Sequence, residues 1–112
     1  MTDSRWIREF TIGIRGDFGS DTEVANIYIN GVYITRCDVG LECDSRYSEC
    51  GPFSHGGGIL TIQVRASNDV GSICTIDSSQ SVAMEVYISF LGNIRGSKSQ
   101  TIRDTPFDAT FL

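Results

Sequence analysis

Acidic residues gather in two stretches of this chain. Asp17, Asp21 and Glu23 lie in and just after the turn-rich segment GDFGSDT, and Asp38, Glu42 and Asp44 follow a hairpin further on. Hard cations such as Ca²⁺ take about six to eight oxygen ligands from carboxylates and carbonyls. Two such loops at one end of a β-sandwich would form a Ca²⁺ site, with Asp69 as a further ligand, and Ca²⁺ is the one candidate cofactor. No EF-hand spacing is present, and the plainer reading is solvated turn carboxylates, since Asp is a common turn residue. A second candidate is an aromatic and polar face. Tyr28 and Tyr33 flank an Asn-Gly turn, with Asn26 and Thr35 beside them. Aromatic rings stack on the C–H groups of a sugar while amide and hydroxyl groups bind its hydroxyls. The competing reading is a cross-strand Tyr pair that stabilises the sheet by a fraction of a kcal/mol.

Other motifs carry less. Arg15-Gly16-Asp17 spells the integrin-recognition tripeptide at a strand-to-loop junction, a short sequence that arises easily by chance. His55, the only histidine, follows Ser54 directly. Neighbouring side chains of an extended chain point apart, and no G-x-S-x-G elbow is present, so the pair is no catalytic dyad. Gly56 to Gly58 lacks a following Lys-Ser/Thr and opens no helix, so it is no phosphate loop.

Four cysteines stand at Cys37, Cys43, Cys50 and Cys74, with no C-x-x-C. With a single histidine, that spacing disfavours zinc and suits two disulfides in an oxidising compartment. Of the three connectivities, loop closure favours Cys37–Cys43 and Cys50–Cys74. The first closes a small loop; the second ties a long Gly-rich loop to a later strand, worth about 3 kcal/mol in the chain-entropy model.

The elements that must position these residues are strands. Asn30-Gly31 has the residues of a two-residue type I′ turn. It sets Ile29 against Val32, Tyr28 against Tyr33 and Ile27 against Ile34. Alternation then puts Ala25, Ile27, Ile29, Val32 and Ile34 on a buried face, and Asn26, Tyr28, Tyr33 and Thr35 on the other. Trp6 to Arg15 alternates in the same way, as do Ile59 to Ala66 and Ser81 to Leu91, with a short strand at Ser72 to Asp77. Asp38 to Gly58 reads as a long irregular segment, pinned by a disulfide or hiding a short strand within Arg46 to Phe53. Gly92 to Gln100 reads as a connector. The terminal residues, with Phe107, Phe111 and Leu112, read as an edge strand or as a surface that docks on a neighbouring copy.

With 112 residues, 40% hydrophobic and 21% charged, the chain has the size and composition of one globular domain, residues 1–112, with 1–5 as a flexible start. Its net charge of −5 and single lysine argue against a nucleic-acid backbone as partner. No apolar run approaches the roughly 18–20 residues that a membrane-spanning helix needs. The start has no secretion signal, which fits a cytosolic chain or a mature or excised domain; the cysteines favour the latter. No helical period and no repeat are present.

Taken together, EFTIGIRGDFGSDTEVANIYINGVYITRCDVG, SECG, GILTIQVRASNDVGSIC and VAMEVYISF resemble secreted β-sandwich modules of large extracellular bacterial and marine-invertebrate proteins. Gly16, Asp17, Glu23, Asn30, Gly31, Cys50, Gly51 and Cys74 carry the resemblance, over roughly Glu9 to Phe90. It implies adhesion or ligand binding without catalysis, and a Cys50–Cys74 pairing; Cys37 and Cys43 lie outside the shared pattern.

The expectation is an all-β, antiparallel β-sandwich, jelly-roll or Ig-like, of six to eight strands, with a closed barrel as the alternative. Its expected role is a non-catalytic, secreted, lectin-like module binding a glycan or a cell-surface protein. The alternative is a structural subunit of a surface layer, appendage or virion, a homo-oligomer built through Phe107 to Leu112.

Overall fold

The computed structural model describes residues 8–16, 24–39, 45–66, 74–77, 80–82, 84–90, 93–100 and 107–111; of these, 74–77, 80–82 and 93–100 are described by backbone alone. Asp17, Asp21, Glu23, Glu42, Cys43, Asp44 and Asp69, like Trp6 and Leu112, lie outside the described residues, and Cys74 is described by its backbone only.

Among the described residues ten strands run in chain order: β1 (Arg8–Gly16), β2 (Ala25–Ile29), β3 (Val32–Cys37), β4 (Ser48–His55), β5 (Leu60–Ala66), β6 (Cys74–Asp77), β7 (Gln80–Val82), β8 (Met84–Phe90), β9 (Asn93–Gln100) and β10 (Phe107–Phe111). Eight of them form two antiparallel sheets, β4-β1-β8-β9 and β10-β5-β2-β3, and β6 pairs with β7 in a separate ribbon. The fold is an all-β antiparallel sandwich. No helix among the described residues is long and apolar enough to cross a membrane.

The core is made by alternation. Phe10, Ile12 and Ile14 of β1 and Met84, Val86 and Ile88 of β8 point inward from one sheet. Ala25 and Ile27 of β2, Leu60, Ile62 and Val64 of β5, and Phe107 of β10 meet them from the other. Burying a side chain of this size contributes about 1.5–3 kcal/mol. Phe10 lies against Phe53 and Phe90, and Phe90 against Phe111, with ring centroids 5.0–5.6 Å apart. The terminal aromatics therefore complete the chain's own core through an edge strand: Phe107 is buried and Phe111 is packed against Phe90.

The Asn-Gly turn forms as its residues require, with φ of +49° at Asn30 and +82° at Gly31. Ile29 opposes Val32 and Tyr28 opposes Tyr33, but the register then slips, and Ile27 opposes Thr35 rather than Ile34. Ile34 is the extra residue of a β-bulge. This corrects the expected buried face. Ala25 and Ile27 are buried and Ile29 packs on the core, whereas Val32 and Ile34 are 62% and 45% exposed. Both belong to β3, an edge strand, Val32 beside the turn and Ile34 at the bulge, whereas Cys37 at its far end is buried.

A second bulge lies in β4. Phe10 opposes Phe53 while Ile12 opposes Cys50, so β4 holds one residue more, at Gly51-Pro52. Gly51 has a φ of +115°, which favours glycine. Proline is tolerated in such a place, an edge-strand bulge. Three residues apart in a regular strand, Cys50 and Phe53 would face opposite ways; the bulge lets both pack on the core.

The two slips together bring Cys37 and Cys50 into contact. Without the bulge at Ile34, Cys37 would share the Tyr33 face; with it, Cys37 opposes Ala25 and is buried. The disulfide is Cys37–Cys50, with Cα atoms 6.2 Å apart. It replaces both favoured pairings, Cys37–Cys43 and Cys50–Cys74, and it joins the two sheets along one flank.

Two further expectations are corrected. Asn93–Gln100 is a strand, paired along β8, where the polar sequence read as a connector. The stretch from Ser81 onward is two strands, β7 and β8, in different sheets. Within Asp38 to Gly58, the hidden-strand option holds as β4.

Candidate binding face

The outer side of the sheet β10-β5-β2-β3 carries a set of polar and aromatic side chains that sequence alternation frees. Asn26 and Tyr28 come from β2, Thr61, Gln63 and Arg65 from β5, Asp108 and Thr110 from β10, and Tyr33 and Arg36 from β3. The register fixes the rows: Tyr33–Tyr28–Gln63–Asp108 across the sheet, and Arg36–Asn26–Arg65 beside it. Tyr28 and Tyr33 meet edge to face, with centroids 5.6 Å apart and planes at 67°. Tyr33 is 52% exposed. Arg65 lies over the Tyr28 ring, 5.1 Å from guanidinium carbon to centroid. Thr61 and Thr110 extend the hydroxyl-bearing side of the face, their oxygens 3.5 Å apart.

The expected quartet is therefore only partly assembled. Tyr28, Tyr33 and Asn26 share the face. The bulge at Ile34 turns Thr35 to oppose Ile27 and puts Arg36 opposite Asn26 in its place. Gln63, Arg65 and Asp108 were not singled out from the sequence. Their alternation marked them as outward-facing, but only the neighbouring of β5 with β2 and β10 brings them to the tyrosines.

Asn30 ties the hairpin tip down. Its backbone N–H donates to Thr61 O at 2.8 Å, its side-chain oxygen accepts from Thr61 N at 2.7 Å, and its amide donates to Ile59 O at 3.0 Å. The turn residue chosen for its positive φ also anchors β2 to the start of β5. Beside it lie Val32, Ile34 and Ile59, the last 58% exposed.

The outer side of the other sheet is built differently. Gly13 has no side chain because the Tyr87 ring covers it: a Cβ there would lie 2.0 Å from that ring. Tyr47 meets Tyr87 edge to face at 4.7 Å, and Arg15 stacks on Tyr47 at 4.5 Å. Arg15 also pairs with Glu85 at 2.5 Å and donates to Ser45 O at 2.6 Å. The Tyr87 hydroxyl donates to Glu49. Burial, then the hydrogen bond to Glu49 and its negative charge, push the Tyr87 phenol up to about 12. Burial and the Glu85 carboxylate likewise raise Tyr47.

The remaining candidates resolve as follows. Arg15 of the integrin-like tripeptide spends its guanidinium on Glu85, Ser45 and Tyr47, so the tripeptide does not present it. His55 ends β4 with Nε2 3.2 Å from Ile59 O. Of the expected Ca²⁺ ligands only Asp38 is described; it is exposed, 3.7 Å from Arg36 Nε. Among the described residues no three His, Cys, Asp or Glu side chains converge on one point.

The class these observations define is a two-sheet β-sandwich in which, among the described residues, the polar and aromatic groups of one outer face bind one another and those of the other leave an aromatic and polar surface. The chain matches no protein-family model, no curated protein and no solved structure.

Proposed function

We propose that the protein is a non-catalytic binding module that takes a carbohydrate on the outer face of the sheet β10-β5-β2-β3. The observation that carries the reading is the exposed Tyr33 set edge to face on the half-buried Tyr28, with Asn26, Gln63 and Arg65 bordering the pair. Such a pair offers a ring face to the C–H side of a sugar, and the amides and guanidinium offer groups to its hydroxyls. The Cys37–Cys50 bridge supports an oxidising, extracellular setting. The likeness to secreted β-sandwich modules points the same way, and Ca²⁺ at the loop ends belongs to the same reading.

A glycan array tests it, run with and without Ca²⁺ on the wild type, Tyr28→Ala and Tyr33→Ala. Wild-type binding lost in both variants supports the site; Ca²⁺ dependence would add the metal. A wild type that binds no glycan under either condition overturns it.

A second reading, self-assembly, is favoured by the exposed Val32, Ile34 and Ile59 around the hairpin tip. Phe107 is buried in the chain's own core and Phe111 is half-buried against it. Discrete oligomers on size exclusion without ligand, abolished by Val32→Asp with Ile34→Asp, would favour assembly over binding.

A further inference from the structure

Arg65 is held at two points on the open face. Its Nε donates to Gln63 Oε1 at 2.6 Å, and Gln63 Nε2 donates to Asp108 Oδ1 at 2.8 Å. A carboxylate only accepts, so Asp108 sets which way round the Gln63 amide lies. The amide nitrogen faces Asp108 and the carbonyl faces Arg65. The guanidinium is then held over the Tyr28 ring. Among the described residues, neither Nη group of Arg65 has a partner. Those two groups form the fork that matches two oxygens of a carboxylate or sulfate. Arg15 on the opposite sheet shows the contrast: its Nε and both Nη groups are engaged.

We infer that the sugar bound on this face carries one oxyanion, a carboxylate or a sulfate ester, and that Arg65 receives it while the exposed Tyr33 ring, set by Tyr28, holds the sugar. The inference rests on the carbohydrate reading above. It names a singly charged group rather than a polyanion. The chain carries a net −5, Asp108 stands on the same sheet as the arginines, and Asp38 lies just past the end of β3, 3.7 Å from Arg36 Nε. Charges within about 8 Å act on one another at physiological salt. One oxyanion is met by the guanidinium; a row of them meets the carboxylates too.

The test is an array of matched glycans that differ only in one sugar: neutral, its uronic acid, and its 6-sulfate. Heparin serves as the polyanion. Wild type, Arg65→Lys and Asp108→Asn are compared, with thermal melts to show that each variant is folded. The wild type should bind the acidic or the sulfated member about tenfold or more tightly than the neutral one, the scale of a charge-assisted bidentate contact. Which of the two it prefers identifies the oxyanion. Arg65→Lys keeps the charge but loses the fork, and should bring the ratio of charged to neutral binding down close to one, whatever it does to binding of the neutral sugar. Asp108→Asn, which no longer dictates the Gln63 orientation, should lower that ratio by less. Equal binding of neutral and charged members by the wild type overturns the inference and leaves the carbohydrate reading standing. Heparin bound more tightly than the singly charged glycans overturns it as well. No glycan bound at all overturns both.

Discussion

The two outer faces of this sandwich hold similar residues and use them in opposite ways. Each has a pair of tyrosines edge to face, an arginine stacked on a ring and a carboxylate nearby. On the β4-β1-β8-β9 side these groups are turned on one another. Arg15 is paired with Glu85, Tyr87 donates to Glu49, and the Tyr87 ring fills the space above Gly13. On the other side Asp108 is one residue removed from Arg65, with Gln63 between them, so the arginine is positioned without being neutralised by a direct ion pair. The same side-chain types thus give structure where they meet directly and leave a surface for a ligand where a neutral amide separates them. The first face should respond to mutation in stability, the second in binding.

The largest effect should come from Arg15→Ala. It strips the partly buried Glu85 of its guanidinium and removes the stacking on Tyr47, costing about 3 kcal/mol in urea unfolding. A loss under about 1 kcal/mol would place this pair among ordinary surface ion pairs and break the contrast. Gly13→Ala comes next, at about 2 kcal/mol, because the Tyr87 ring must leave its place. A double-mutant cycle sharpens the point: in a Tyr87→Ala background the cost of Gly13→Ala should largely vanish.

Tyr87→Phe should cost about 1 kcal/mol at neutral pH through the lost hydrogen bond to Glu49. It also has a pH signature. The folded-state phenol titrates near 12 rather than at the ordinary 10.0, so the unfolded chain gives up that proton first. The stability it contributes is complete below about pH 10 and lost as pH rises toward about 12. Melting temperature should fall over that window, less steeply in Tyr87→Phe. The smallest stability effect belongs to the open face: Tyr28→Ala should cost less than about 1 kcal/mol, the scale of an exposed cross-strand pair. A cost matching that of Gly13→Ala would mean that the Tyr28 pair, too, is a structural device.

Local pattern made much of this legible. Asn30-Gly31 fixed its turn through positive φ, and apolar alternation in Phe10-Ile12-Ile14, Leu60-Ile62-Val64 and Val86-Ile88 identified strands and core. Alternation failed where a strand carries an extra residue. Val32-Tyr33-Ile34-Thr35 reads as regular, and nothing in those four side chains announces the slip at Ile34 that exposes one flank and buries Cys37. The disulfide was hidden for the same reason, since it needs that slip and the one at Gly51-Pro52 together. β9 was missed because Asn93–Gln100 is polar, and its pairing with β8 comes from backbone bonds that any side chains permit. Gly13, alone inside an alternating strand, did carry a signal of close approach, but Tyr87 is its neighbour only through the pairing of β1 with β8.

The Cys37–Cys50 bridge has a mechanical corollary. Drawn out from its two ends, the chain cannot straighten the stretch between those cysteines, whose separation is 13 residues and whose anchor points stay 6.2 Å apart. At about 3.4 Å per extended residue, roughly 40 Å of length is withheld from a stretched molecule until the bond is reduced. A tether built from this domain would therefore be shorter and stiffer at full extension in an oxidising medium than in a reducing one.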